Sequence, residues 1–236
     1  NYITYDGEKL INVDIKNSQP LFSTLLLDKT FWNKKGKLIS ILNIPPQFSP
    51  PSSINTFSNP PSSNSYSFSI TIIMIVKLLE SIDNKVFNQY KSFVNSGKFY
   101  EKVSKLLYQK STFNKQKVKE MIYTVLFSSN RFIGQTGAQS KRDFKLNFPE
   151  VYEVFRLIKV KDPTSLARLL QQIESTIMIQ HAAKRIAEEK PTLPIFTIHD
   201  SIATTSGNED YVASVIKEEV LKLTGLKVKL GKEPWG

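Results

Sequence analysis

Cysteine is absent from the 236 residues and histidine occurs only twice, which excludes disulfides, thiolate metal sites and any His/Cys metal cluster. A bound metal would have to be a hard cation held by oxygen ligands. The absence of cysteine leaves the compartment undetermined. Long hydrophobic runs are also missing. The apolar stretch from Ile70 to Leu79 is interrupted by Lys77 and falls far short of the roughly 20 residues that cross a bilayer. No signal-peptide pattern opens the chain and no internal repeat is visible. The expectation is a soluble, intracellular protein without a membrane partner. There is no initiator Met, which suggests a fragment or one piece of a larger enzyme.

Acidic charge is the scarcer sign. With 32 Lys and Arg against 21 Asp and Glu, the formal net charge is +11 and the isoelectric point is near 9.6. An Asn/Ile/Lys/Phe-rich composition of the kind an AT-rich genome produces accounts for part of this. A polyanionic partner, most often nucleic acid, accounts for it functionally, and both causes can hold at once. The 40% hydrophobic content suffices for one good core, or for one large and one small lobe.

Along the chain, Leu10 to Ile15 reads as a strand with Gly7 in the preceding turn, and Leu21 to Leu27 as a helix. Residues 45–69 shift to Pro, Ser and Asn, with three Pro-Pro pairs, and read as a loop or disordered insertion. Order resumes over Ile70 to Ile82, followed by two amphipathic helices within Val86 to Tyr108 that are separated at Gly97. Asn114 is placed to cap a helix from Lys115 to about Ser129. Arg131 to Ser140, with Gly134 and Gly137, reads as a loop. Helices follow over Pro149–Lys159, Ser165–Glu189 and Glu209–Leu223, with Val228 to Leu230 as a last strand.

The chain is organised around Pro194 to Thr205, where two β-branched runs flank His199-Asp200-Ser201. This is a strand–turn–strand pattern. It presents a carboxylate at the tip of a stiff arm, as catalytic metal carboxylates are commonly presented; an ordinary Asp turn has the same spelling. Asp14 ends an earlier strand. Two strand-borne carboxylates far apart in sequence can converge on a pair of Mg²⁺ ions and serve phosphoryl transfer. In the helix from Lys115, at about 100° per residue, Val118, Met121, Ile122, Val125 and Leu126 form one apolar stripe. Lys119, Tyr123 and Phe127 drift off it. A nucleotide would use such a face, with cations for its phosphates and rings for its base; packing against a second helix is the alternative.

Together, Asp14-Ile15-Lys16-Asn17-Ser18-Gln19, Lys115-x3-Lys119-x3-Tyr123-x3-Phe127 and His199-Asp200-Ser201 resemble motifs A, B and C of family A nucleic-acid polymerases. That family includes DNA polymerase I-like enzymes and the single-subunit phage-type RNA polymerases. The resemblance implies an α/β fold of α+β type, with an antiparallel palm sheet and a helical fingers lobe. It divides the chain into a first palm segment (1–44), the Pro/Ser/Asn insertion (45–69), helical fingers (70–160) and a second palm segment (161–236).

By the same resemblance, Asp14 and Asp200 would hold two Mg²⁺ ions, and Lys119 would contact the triphosphate and protonate the leaving pyrophosphate. Lys115 would grip phosphate, Tyr123 pack on the incoming sugar and base, and Phe127 stack with the templating base. His199 would support the primer terminus, and Gln172 would lie in the minor groove. Gln19 occupies the position where DNA-making members carry a bulky glutamate that blocks a 2′-hydroxyl and RNA-making members a small residue.

Three departures accompany these matches. Lys115 replaces an arginine, Phe127-Ser128 replaces Tyr-Gly, and the gap between motifs B and C is short. The implied activity is DNA-directed DNA synthesis on a primer–template from nucleoside triphosphates. RNA synthesis is the runner-up, and a catalytically inactive basic nucleic-acid binder the competitor from another class. The protein would be cytoplasmic, or encoded by a phage, plasmid or organelle, and further domains of a larger polymerase would be partners.

Overall fold

The computed structural model describes residues 3–32, 63–108, 115–198 and 200–235. The chain divides into two compact units, Asn1–Phe22 with Gln171–Gly236, and Ser23–Leu170.

The first unit is built on an antiparallel sheet. β1 (Thr4–Tyr5) pairs with the start of β2 (Glu8–Ile15), and β3 (Ile195–Ile198) and β4 (Ser201–Thr205) form the expected hairpin. β2 is central: β4 lies on one side of it and β5 (Leu230–Pro234) on the other. The alternation that marks β2 in sequence is the physical pleat. Val13 and Ile15 are buried on one face, and Asn12 and Asp14 stand half-buried on the other. The last strand begins two residues later than the expected Val228–Leu230 and runs to Pro234. Its Gly, Lys, Glu and Pro have little strand preference, and it is extended because β2 offers an open backbone edge.

α1 (Ser18–Ser23) follows β2 and continues as a 3-10 turn over Thr24–Leu27. The helical start is three residues before the expected Leu21. Asn17, between β2 and α1, adopts φ 57°, a left-handed conformation that Asn tolerates better than most residues. It lies in the two-residue link between Ile15, the end of β2, and Ser18, the start of α1.

The second unit holds α2 (Lys29–Trp32), α3 (Ser63–Ser81), α4 (Asn88–Asn95), α5 (Phe99–Tyr108), α6 (Lys115–Phe127), α7 (Gln139–Asn147) and α8 (Pro149–Ile158). Its core is aromatic. Tyr90 is fully buried and meets Phe99, Phe144, Phe148 and Phe155 edge-on, at ring-centroid distances of 5.5 to 6.4 Å. Its hydroxyl is 2.8 Å from Ser23 Oγ, which satisfies the polar tip.

Two expectations in this unit are corrected. Helix α3 begins at Ser63, inside the Pro/Ser/Asn-rich stretch, so residues 63–69 are helical; residues 45–62 lie outside the described residues, as does Asn114. The expected loop over 131–140 is instead two 3-10 turns, Asn130–Gly134 and Thr136–Ala138, leading into α7.

The expected helix from Ser165 to Glu189 is one continuous run with three parts: α9 (Ser165–Ser175), a wide π-helical segment (Thr176–Ala183) and α10 (Lys184–Glu189). The π segment packs against β3, β4 and α11 (Glu209–Thr224). Gly225 ends α11 in the left-handed conformation, φ 72°, the geometry for which a helix C-terminus favours glycine.

Candidate active site

The site grows out of the β2–β4 register. Asp14 is the penultimate residue of β2 and pairs with Ser201 of β4. Asp200 stands in the hairpin turn next to that partner, and the turn is tied by a 2.8 Å bond from Ser201 Oγ to the Ile198 carbonyl. The two aspartates named from sequence are therefore brought to one end of one strand pair. His199 lies outside the described residues.

The proximity is visible in the electrostatics. Asp14's carboxyl is pushed above its ordinary value first by burial, then by the negative charges of Asp200 and Glu233. Glu233 shares its sheet face, since it pairs with Asn12 two residues before Asp14. A cation beside Asp14 would oppose all three effects.

Two consecutive residues of α1 fix the surroundings. Ser18, buried, donates through Oγ to Asp200 Oδ2 at 3.0 Å. Gln19 donates through Nε2 to Oε2 of the buried Glu174 on α9 at 2.9 Å. The amide of Gln19 is thus turned inward, and its Oε1 is buried as well. Gln172 is half-buried on the same helix as Glu174.

The donor chemistry of the acidic pair fits Mg²⁺. That ion takes hard oxygens and is ordinarily held by one or two carboxylates, with waters and substrate phosphates completing its shell. Gly231, across β5, leaves the space in which Asp14's carboxylate stands. Among the described residues no group of three or more His, Asp or Glu side chains is placed to hold a metal, so a cation here would draw on two protein carboxylates.

Lys115, Lys119, Tyr123 and Phe127 belong to the second unit and share helix α6. The expected stripe of Val118, Met121, Ile122, Val125 and Leu126 is buried. Tyr123 and Phe127 are 38% and 37% exposed and stack on each other at 5.5 Å with 21° between the rings. Lys119 Nζ lies 5.6 Å from the Tyr123 ring centroid. The face is a ready-made aromatic surface with a cation on it. The far end of α6 is held by two buried lysines. Lys159 Nζ donates to the carbonyls of Val125 (2.6 Å) and Ser128 (3.1 Å). Lys141 Nζ donates to Ser128 Oγ (3.0 Å) and the Ser129 carbonyl (2.7 Å).

No protein-family profile and no curated protein matches the chain. Among solved structures it is similar to the POL domain of Pol1 from M. smegmatis in complex with DNA primer-template and dNTP. The TM-score is 0.33 and the identity 11%, over 99% of this chain and 41% of that chain. The chain thus spans well under half the length of that structure. Among the described residues no helix is long and apolar enough to cross a membrane.

Reading the sequence missed Glu174, Gly231, Glu233, Lys141 and Lys159. Each acts through a contact between residues distant in the chain, which no local pattern carries. Ser18 lies within the Asp14–Gln19 segment, and a polar side chain soon after a strand-end Asp is the available signal.

Proposed function

We propose that this chain carries out template-directed nucleotidyl transfer, as a DNA-directed DNA polymerase of family A type that uses a primer–template, nucleoside triphosphates and two Mg²⁺ ions. The observation that carries this reading is the acidic pair. Asp14 on β2 and Asp200 in the β3–β4 turn sit at the same end of the β2–β4 pair, and Asp14 bears an electrostatic burden that a cation would relieve.

In this reading Asp14 and Asp200 hold the metal. The bound ions would supply charge neutralisation at the attacking and departing oxygens of the phosphoryl group. Ser18 keeps Asp200 oriented. Lys119 binds the triphosphate and hands a proton to the departing pyrophosphate oxygen, while Lys115 adds a second positive charge. Tyr123 and Phe127 offer their exposed rings to the nucleotide base and the templating base. His199 and Gln172 contact the nucleic acid. Gln19, half-buried with its amide tied to Glu174, would face the sugar of the incoming nucleotide.

RNA synthesis is the second reading, and the inward turn of Gln19's amide favours it: a side chain folded back toward Glu174 projects less bulk than an extended one. A primer-extension assay in Mg²⁺ decides. Deoxynucleotides alone, then ribonucleotides alone, are offered to the wild type and to Gln19→Gly. A gate predicts wild-type preference for deoxynucleotides, with ribonucleotides gained in the variant and little deoxynucleotide lost. Ribonucleotide preference in the wild type establishes RNA synthesis instead. No extension with either leaves a nucleic-acid-binding protein and overturns the enzymatic reading.

A further inference from the structure

Glycine inside a strand is unfavourable, because it loses the most conformational freedom on folding and adds no side chain to pack. β5 nevertheless carries Gly231 between Leu230 and Lys232. Backbone geometry does not demand it, since among the described residues the glycines with positive φ are Gly7, Gly97, Gly207 and Gly225.

The reason lies across the ladder. Gly231 is the β5 partner of Asp14, and paired residues of an antiparallel ladder put their side chains on the same face. A methyl group at Gly231 would overlap Asp14 Oδ1 and stand 3.1 Å from its Cγ and 3.5 Å from its Oδ2. The carboxylate of Asp14 therefore lies over the bare backbone of β5. On the other flank, the Ser201 hydroxyl is committed to the Ile198 carbonyl, so it does not hold the carboxylate in place.

We propose that Gly231 is a positioning residue for Asp14: the missing side chain sets where the carboxylate stands, and with it the approach to Asp200 that a shared cation needs. This rests on the reading of Asp14 and Asp200 as a cation-binding pair. A side chain at position 231 forces either a new rotamer at Asp14 or a shift of β5. Both move one carboxylate while Ser18 holds the other in place. The pair then loses a common point at which two carboxylate oxygens can meet one ion.

The test combines Mn²⁺ binding, read by electron paramagnetic resonance of free Mn²⁺, with a thermal double-mutant cycle on the full chain. Gly231→Ala is expected to weaken Mn²⁺ binding at least tenfold and to lower Tm. In an Asp14→Ala background the same change is expected to leave Tm unchanged or raise it, because the overlapping group is gone. Wild-type Mn²⁺ affinity in a folded Gly231→Ala protein overturns the proposal, as does an equal Tm loss in both backgrounds. If the wild type binds no Mn²⁺, the cation-site reading fails and the thermal cycle alone decides: coupling supports the placement of Asp14 by Gly231, and additivity rejects it.

Discussion

At Asp14, burial and the neighbouring charges of Asp200 and Glu233 act in one direction, and the carboxyl holds its proton more tightly in the folded chain than in the unfolded one. The sign of the linkage follows. Its contribution to stability is fully present below the ordinary value of 3.8 and is lost as pH rises through the raised folded value. At neutral pH the ionised side chain is a burden. Asp14→Asn is therefore expected to raise Tm at pH 7, by about 2–4 °C for each kcal/mol of relief in a chain of this size. The gain should shrink as pH is lowered toward 4. A variant less stable than wild type at pH 7, measured without divalent ions, contradicts this electrostatic account. Asp14 and Asp200 were legible in sequence because a carboxylate at a strand end and another in a tight turn are local patterns. The influence of Glu233 was not, because it depends on a pairing register between strands more than 200 residues apart.

Helix α6 shows what an element reveals and conceals. Its apolar stripe and its off-stripe Lys119, Tyr123 and Phe127 follow from the 3.6-residue period, and the structure has them as expected. What holds its end does not follow from that period. Lys159 is buried against the last carbonyls of α6, and burial together with the Lys141 charge brings its amine down to about 7. Below about pH 7 the folded and unfolded states both carry the proton and the desolvation penalty is complete. Between there and the ordinary 10.5 the unfolded chain binds the proton that the folded one has released, so stability rises with pH across that window.

Lys159→Met is expected to abolish that rise. It should also destabilise the chain by about 1–3 kcal/mol through the stranded carbonyls of Val125 and Ser128. Urea unfolding at pH 7 and pH 9.5 measures both; a parallel pH response in the two proteins would show that Lys159 is not the titrating group. Helix α7 escaped the sequence reading for a related reason. One of its buried residues is Lys141, so its inward face has no continuous apolar signature. Strand β5, expected over Val228–Leu230, runs instead over Leu230–Pro234, because pairing with β2 overrides the weak intrinsic preference of those residues.

For the whole molecule, the net charge of +11 and the acidic pair make opposite demands. The first attracts a polyanion, and the second concentrates negative charge on one sheet face. A basic binder has no use for the second. The proposed phosphoryl transfer would use both, with cations recruited by the carboxylates and phosphates by the lysines.

Phosphate-driven binding weakens steeply with salt, so binding and chemistry are to be compared at low ionic strength, where the complex is saturated. The most direct measurement is single-turnover nucleotide incorporation by the wild type and by Asp200→Asn on a primer–template in Mg²⁺, with binding read on the same samples. The account predicts unchanged or slightly tighter binding and a rate lowered about a thousandfold or more, the scale of several kcal/mol of metal-centred stabilisation. Incorporation by Asp200→Asn at the wild-type rate would contradict it.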